Sequence, residues 1–130
     1  MKLKSSKQLV AEASKVVNVI SPEQARQMLD NNKPKPILVD IRDIRELKDS
    51  GRVVGSRHMA RGMLEFWLDP ESPYYKNVDP QVPKILFCKS NWRSVLAAKT
   101  LQDMGFDNVS TIEGGLVNML NDGVFEIETD

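Results

Sequence analysis

The chain contains one cysteine and one histidine among 130 residues. A single thiol excludes an internal disulfide, a Cys-x-x-Cys redox pair and a zinc site built from several thiolates. One histidine cannot build a metal site by itself. We therefore expect no metal, and a reducing cytoplasm is the compartment that this cysteine usage favours.

The sequence also lacks an excess of charge and a long apolar run. Lys and Arg total 18 and Asp and Glu total 18, so the formal net charge is zero. This balance does not indicate binding to nucleic acid through bulk charge. No apolar stretch approaches the ~20 residues that a membrane span needs. We expect neither a nucleic acid nor a membrane as a partner.

The chain does contain short β-prone runs that alternate with helix signals. Residues 21–24 read Ser-Pro-Glu-Gln, a capping box with proline at the first helical position, and residues 43–46 form a second capping box. Residues 37–41 and 85–87 are apolar on both faces, as central parallel strands are. The pattern predicts one α/β domain with a mostly parallel sheet. In such sheets, active sites collect at the carboxyl ends of the strands.

Cys88 follows one of these predicted strands and precedes a predicted helix over residues 92–104. The open amides of a helix N-terminus favour the thiolate, which is the nucleophilic form of the side chain. Four residues, Lys89-Ser90-Asn91-Trp92, separate Cys88 from Arg93. If their backbone amides converge, they form an anion-binding nest to which Arg93 adds a planar fork of donors. Such a site fits a small oxyanion such as thiosulfate, or a persulfide anion.

Several motifs, in order and spacing, resemble the rhodanese-like family of single-domain sulfurtransferases. The resemblance covers roughly residues 17–123, and residues 61–67 (RGMLEFW) and 69–74 (DPESPY) resemble one bacterial subgroup. It implies a five-stranded, mostly parallel sheet with helices on both faces. Residues 1–16 are then a helical extension and residues 124–130 a tail. The motifs are Val39-Asp40-Ile41-Arg42 with Glu46, the turn Gly51…Gly55-Ser56, Cys88…Arg93-Ser94, and Ile112-Glu113-Gly114-Gly115.

The resemblance also implies an activity and a set of site residues. Cys88 would carry a persulfide, residues 89–92 would supply backbone amides, and Arg93 would orient the anionic donor. Sulfane sulfur would pass from thiosulfate or a related donor to cyanide or a thiol, including a thiol of another protein. No metal or organic cofactor is implied. Three further residues are predicted to contact the site residues rather than the substrate, namely Asp40, Arg42 and Ser94.

Three details of the sequence qualify these expectations. Members of the family usually have glycine in the middle of the loop, where Ser90 and Asn91 stand, and Asn tolerates the left-handed backbone region better than most residues. Arg42 and Glu46 are four residues apart and could simply pair on a helix face. His58 is predicted to be a structural histidine.

Three other interpretations of Cys88 compete with sulfur transfer. A free cysteine is commonly just a small buried hydrophobic residue. A phosphatase of the Cys…Arg kind uses the same chemistry but needs five residues between the two side chains, and this chain has four. A non-catalytic or sulfur-sensing rhodanese-like module is the third interpretation.

Overall fold

The two predicted central strands lie side by side in a five-stranded sheet of the computed structural model, which describes residues 1–129. The strands are β1 (Asn18–Ile20), β2 (Ile37–Asp40), β3 (Arg52–Val53), β4 (Ser56–His58), β5 (Lys84–Phe87), β6 (Val109–Ile112) and β7 (Ile127–Glu128). The main sheet has the order β1-β6-β5-β2-β4, and all of its neighbouring strands run parallel. The α/β fold with a five-stranded parallel sheet is therefore confirmed.

Residues 1–129 form six α-helices around this sheet, and the capping signals in the sequence mark where two of them begin. The helices are α1 (Ser6–Val16), α2 (Pro22–Asn31), α3 (Ile44–Ser50), α4 (Leu64–Leu68), α5 (Trp92–Asp103) and α6 (Gly115–Asp122), and a 3-10 turn at Arg61–Met63 precedes α4. Ser21 and Asp43 cap α2 and α3, each through the predicted capping box. Gly51 ends α3 with a φ of 87°, a conformation that glycine adopts without steric cost.

The hydrophobic core forms two layers, one on each face of the sheet. On one face, α2 and α6 pack through Ala25, Leu29, Leu116 and Met119 against the strands. On the other face, α4 and α5 supply the buried residues Leu64, Leu68, Ala97, Ala98 and Leu101. Helix α1 lies outside α5, where Gln102 Nε2 donates to the Val16 carbonyl at 2.9 Å. The prediction of helices on both faces is confirmed.

The end of the chain packs back onto the domain. Phe125 is buried in the core layer of α2 and α6, and β7 pairs antiparallel with β3. The division into an extension, a domain and a tail stays a prediction, and position 130 of that tail lies outside the described residues. Within residues 1–129, no helix has both the length and the apolar character needed to cross a bilayer.

Candidate active site

Cys88 follows the last residue of β5 and is the first residue of the loop that leads to α5. Its side chain is fully buried and contacts the core layer of α4 and α5. A structural cysteine is also commonly buried, so burial does not identify its role. The surroundings are more specific, because the Asn91 amide donates a hydrogen bond to Sγ of Cys88 at 3.2 Å.

Asn91 turns the loop so that its amide faces the sulfur. Its backbone is left-handed, with φ 81° and ψ −6°, and it precedes α5 without capping the helix through its side chain. Helix α5 therefore begins at Trp92 without a side-chain cap, and its N-terminus carries the positive end of the helix dipole. The prediction that Asn would adopt this strained conformation is confirmed. Among the described residues, only the Asn91 amide donates to Sγ, so the full cradle of loop amides stays a prediction.

The N-terminus of α6 holds the same loop from the opposite side. The Leu116 amide donates to the Cys88 carbonyl at 2.8 Å, and the Val117 amide donates to the Lys89 carbonyl at 3.2 Å. Gly115 permits this approach, since a Cβ there would lie 2.5 Å from the Cys88 carbonyl oxygen. Both carbonyls are thereby held on the α6 side of the loop. Gly115, the second glycine of the predicted Gly114-Gly115 motif, thus lets α6 anchor the cysteine loop.

Arg93 lies beside the thiol and forms an ion pair that the sequence did not reveal. Its two terminal nitrogens donate to the two carboxylate oxygens of Glu46 at 2.7 and 3.0 Å. These bonds to Arg93 are the main reason why the pKa of Glu46 is lowered. The pKa of Arg93 is raised, chiefly by Glu46, with a smaller contribution from Cys88. The site therefore combines a thiol, a guanidinium and a carboxylate.

Asp40 and Arg42 form a second ion pair, which is fully buried. The Arg42 guanidinium donates to both Asp40 oxygens at 2.8–3.1 Å, and it also reaches Ser50 Oγ at 3.1 Å and the Gly51 carbonyl at 2.9 Å. The interpretation in which Arg42 pairs with Glu46 is wrong, because these groups already occupy its donors. Arg42 instead ties the end of β2 to the end of α3, the helix that carries Glu46.

The other predicted site residues differ in their exposure. Lys89, Ser90 and Trp92 are exposed, whereas Ser94 is fully buried. Ser94 Oγ and Asn91 Oδ1 are buried without a hydrogen-bond partner. His58 Nε2 lies 2.7 Å from the Arg42 carbonyl, as a structural histidine would. No cluster of three or more potential metal ligands occurs in the described part of the chain.

The order of the strands in the sheet was the signal that could have identified Glu46 as the partner of Arg93. Strand β2 lies next to β5 in the parallel sheet, so the segments after their carboxyl ends meet at one edge. Glu46 is three residues beyond the Asp43 cap, and its carboxylate accepts from the Asp43 amide at 2.9 Å while it binds Arg93. In the sequence, the capping box already explained the presence of Glu46. Its second partner, Arg93, becomes visible only in the tertiary fold.

Comparison with known proteins assigns the chain to a family. The sequence profile of the Rhodanese-like domain matches residues 21–122. The chain therefore belongs to the rhodanese-like domain family. A thiosulfate sulfurtransferase GlpE from Ectopseudomonas mendocina is 31% identical over 96 residues, which are 74% of this chain and 78% of that protein. Family and relatives together support a sulfurtransferase.

Two solved structures resemble the chain over most of its length. A protein of unknown function from Rhodopseudomonas palustris, described as a possible tyrosine phosphatase, is 36% identical with a TM-score of 0.88, covering 98% of this chain and 97% of its own. The polysulfide-sulfur transferase homodimer of Wolinella succinogenes is 35% identical with a TM-score of 0.69, covering 90% of this chain and 82% of its own. These relatives differ in their described chemistry, so the reaction must be argued from the site.

Proposed function

We propose that the protein is a sulfurtransferase that carries sulfane sulfur as a persulfide on Cys88. The observation that carries this proposal is the hydrogen bond of 3.2 Å from the Asn91 amide to Sγ. An N–H donor and the positive end of α5 stabilise a negative charge on that sulfur. The nearby Arg93 adds a guanidinium that suits an anionic sulfur donor. A cysteine that only filled the core would need neither group.

The reaction would proceed in two nucleophilic steps. The Cys88 thiolate attacks the outer sulfur of thiosulfate, the S–S bond breaks, and its electron pair leaves with sulfite. Cys88 then carries –S–S⁻, and the total charge is unchanged. Cyanide or a thiolate attacks the outer sulfur in the second step, giving thiocyanate or a new persulfide and restoring the thiolate. In this scheme the Asn91 amide and α5 hold the sulfur's charge, while Arg93 orients the donor.

The length of the loop favours sulfur transfer over phosphate chemistry. Four residues separate Cys88 from Arg93, whereas the Cys…Arg phosphatases described above use five. The shorter ring has less room for a tetrahedral phosphoryl group around the thiol. The single cysteine also favours a reducing, cytoplasmic location, and a small thiol, cyanide or a protein thiol would then be the acceptor.

Intact-mass analysis after incubation with thiosulfate tests the proposal. We expect an adduct of one sulfur atom, removed by cyanide or dithiothreitol and absent from Cys88→Ser. The matched assay with p-nitrophenyl phosphate should give no turnover that depends on Cys88. Failure of thiosulfate, an alkanethiosulfonate and a persulfide donor to load Cys88 would refute the proposal and favour a binding module. Turnover of the phosphate ester through Cys88 would favour a phosphatase.

A further inference from the structure

Glu46 occupies the part of Arg93 that an anionic donor would use. Its carboxylate takes one hydrogen bond from each terminal nitrogen of the guanidinium, at 2.7 and 3.0 Å. Both partners remain partly open to solvent, with 41% of the Arg93 side chain and 31% of the Glu46 side chain exposed. The ion pair is therefore open to solvent, whereas Cys88 is fully buried, and we take the ion pair as the entrance for a donor.

The surroundings of Glu46 add little positive charge to this entrance. A groove of about 340 Å³ runs between α3 and α6 beside the cysteine loop. Its lining residues are Arg42, Glu46, Asp49, Ser50, Lys89, Leu116, Val117 and Leu120. The guanidinium of Arg42 is committed to the buried carboxylate of Asp40. Lys89 is the other cation that lines the groove, and the carboxylates of Glu46 and Asp49 line it as well.

We propose that Glu46 is a specificity-determining residue that makes the site select singly charged sulfane donors over doubly charged thiosulfate. The preferred class is R–SO₂–S⁻ or R–S–S⁻, in which an uncharged group replaces one anionic oxygen or ends the sulfur chain. The inference rests on the sulfurtransferase function proposed above and concerns the choice of donor for that same site.

The physical reason is the net charge at Arg93. A free guanidinium attracts a dianion about twice as strongly as a monoanion, because the Coulomb energy scales with charge. When Glu46 is paired with Arg93, the pair is close to neutral and this advantage of the dianion disappears. Each additional negative charge on the donor is then repelled by Glu46, which the ion pair keeps ionised by lowering its pKa. Glu46 therefore penalises the second charge of thiosulfate.

Thiosulfate and methanethiosulfonate form a matched pair of probes. They share the –SO₂–S⁻ group and differ in one position, where a methyl group replaces a charged oxygen. With methanethiosulfonate, the Cys88 thiolate attacks the outer sulfur, the S–S bond breaks and its electron pair leaves with methanesulfinate. Cyanide then removes the sulfur from either loaded enzyme as thiocyanate. The rate of thiocyanate formation thus reports both donors through one product, with Cys88→Ser as the blank.

The decisive comparison is the ratio of kcat/KM for the two donors in the parent protein and in Glu46→Gln. Gln retains the capping-box hydrogen bond of α3 and nearly the shape of Glu, so the main change is one charge. We expect the preference for methanethiosulfonate over thiosulfate to fall roughly tenfold in Glu46→Gln, the order of one charge interaction at a partly screened site. Asp49→Asn removes a charge from the same helix without touching Arg93 and should leave the ratio within about twofold.

Three results would overturn the inference while leaving the proposed function in place. In the first, both donors load Cys88 and Glu46→Gln leaves kcat/KM unchanged for each of them. In the second, both donors lose activity equally, which means that Glu46 only positions Arg93. In the third, Asp49→Asn shifts the ratio as much as Glu46→Gln does. If neither these two donors nor a persulfide donor loads the parent protein, the proposed function itself fails.

Binding of unreactive anions provides a second readout that does not depend on turnover. Sulfate, a dianion, and methanesulfonate, a monoanion, should both inhibit sulfur loading in competition with the donor. We expect Glu46→Gln to lower the inhibition constant of sulfate roughly tenfold and that of methanesulfonate much less. Equal changes for the two anions would contradict charge selection. Thermal unfolding of each variant shows whether a lost activity reflects a lost fold.

Discussion

The two ends of strand β5 carry buried polar groups of opposite kinds. Lys84 begins the strand and Cys88 follows its end, and both side chains are buried. The Lys84 ammonium donates to the carbonyls of Asp79 and Pro80 at 3.2 and 2.9 Å, and it lies 4.9 Å from the centre of the Phe106 ring. These contacts satisfy the ammonium within the protein.

The Cys88 end leaves polar groups without protein partners. The Ser94 hydroxyl and the Asn91 side-chain oxygen are buried and unpaired, and α5 begins without a side-chain cap. Buried polar atoms are usually paired, so an unpaired group needs an explanation such as a catalytic role. Asn108 at the Lys84 end has an unpaired oxygen, but its amide nitrogen donates to Pro80 at 2.9 Å. The Lys84 ammonium thus finds its partners within the protein, whereas two buried oxygens at the Cys88 end have none among the described residues. This difference supports the ligand site proposed at the Cys88 end.

The largest effect is expected from Gly115→Ala, which disturbs the cysteine loop at the Cys88 end of β5 and leaves the Lys84 end unchanged. In Gly115→Ala, the new methyl group would meet the Cys88 carbonyl and the Lys89 backbone at 2.5–2.7 Å. We expect sulfur loading to slow at least tenfold, and the free energy of unfolding to fall by about 3 kcal/mol from overpacking and the left-handed backbone. Intact-mass analysis of samples quenched at successive times measures the rate of sulfur loading, and urea unfolding measures the free energy of unfolding.

Gly123→Ala is the matched control for that variant. Gly123 also has a positive φ, of 80°, but a Cβ there would meet nothing within 4 Å. Its backbone strain should lower the free energy of unfolding by about 1–2 kcal/mol, while sulfur loading stays normal. If both variants load sulfur equally fast, Gly115 does not hold the cysteine loop in its working conformation.

A smaller effect sharpens the comparison at the Lys84 end. Burial lowers the pKa of the Lys84 ammonium to about 8, so between about pH 8 and the ordinary lysine pKa of ~10.4 the unfolded chain binds more protons than the folded one. The free energy of unfolding should therefore rise with pH across this window, by at most about 1.4 kcal/mol per pH unit for one proton. Below pH 8, Lys84 is protonated in both states, so it adds no pH dependence to the free energy of unfolding.

Lys84→Met removes that titration and keeps most of the side chain's volume. We expect the variant to lack the rise between pH 8 and 10.4 and to load sulfur on Cys88 at the parent rate. Urea unfolding at several pH values measures the first quantity, and intact mass measures the second. Identical pH slopes in parent and variant would mean that Lys84 titrates normally, and impaired loading would mean that the two ends are coupled.

The fold was predictable because its local signals agree with its global pattern. The capping boxes at Ser21 and Asp43, the glycine after α3 and the apolar strands each gave the correct element. The left-handed backbone of Asn91 was also predictable, since a turn was needed where glycine is usual. These features depend on residues that are close together in the chain, so one sequence is enough to predict them.

The chemistry of the site depended on contacts between distant segments. Glu46 and Arg93 are 47 positions apart, and nothing in their local sequences pairs them. Helical spacing offered Arg42 as one alternative partner of Glu46, but the buried carboxylate of Asp40 binds Arg42 instead. The parallel order of β2 and β5 brings the segments that carry Glu46 and Arg93 to the same edge of the sheet.

Amide spectra of the nitrogen-15-labelled protein, recorded before and after sulfur loading of Cys88, test the central contrast most directly. A persulfide held by the loop should shift the amide signals of Ser90, Asn91, Trp92 and Arg93. The signals of Phe106 and Asn108, around Lys84 at the other end of β5, should stay in place. Unchanged loop signals in a fully loaded sample, or equal shifts at both ends of the strand, would contradict the account.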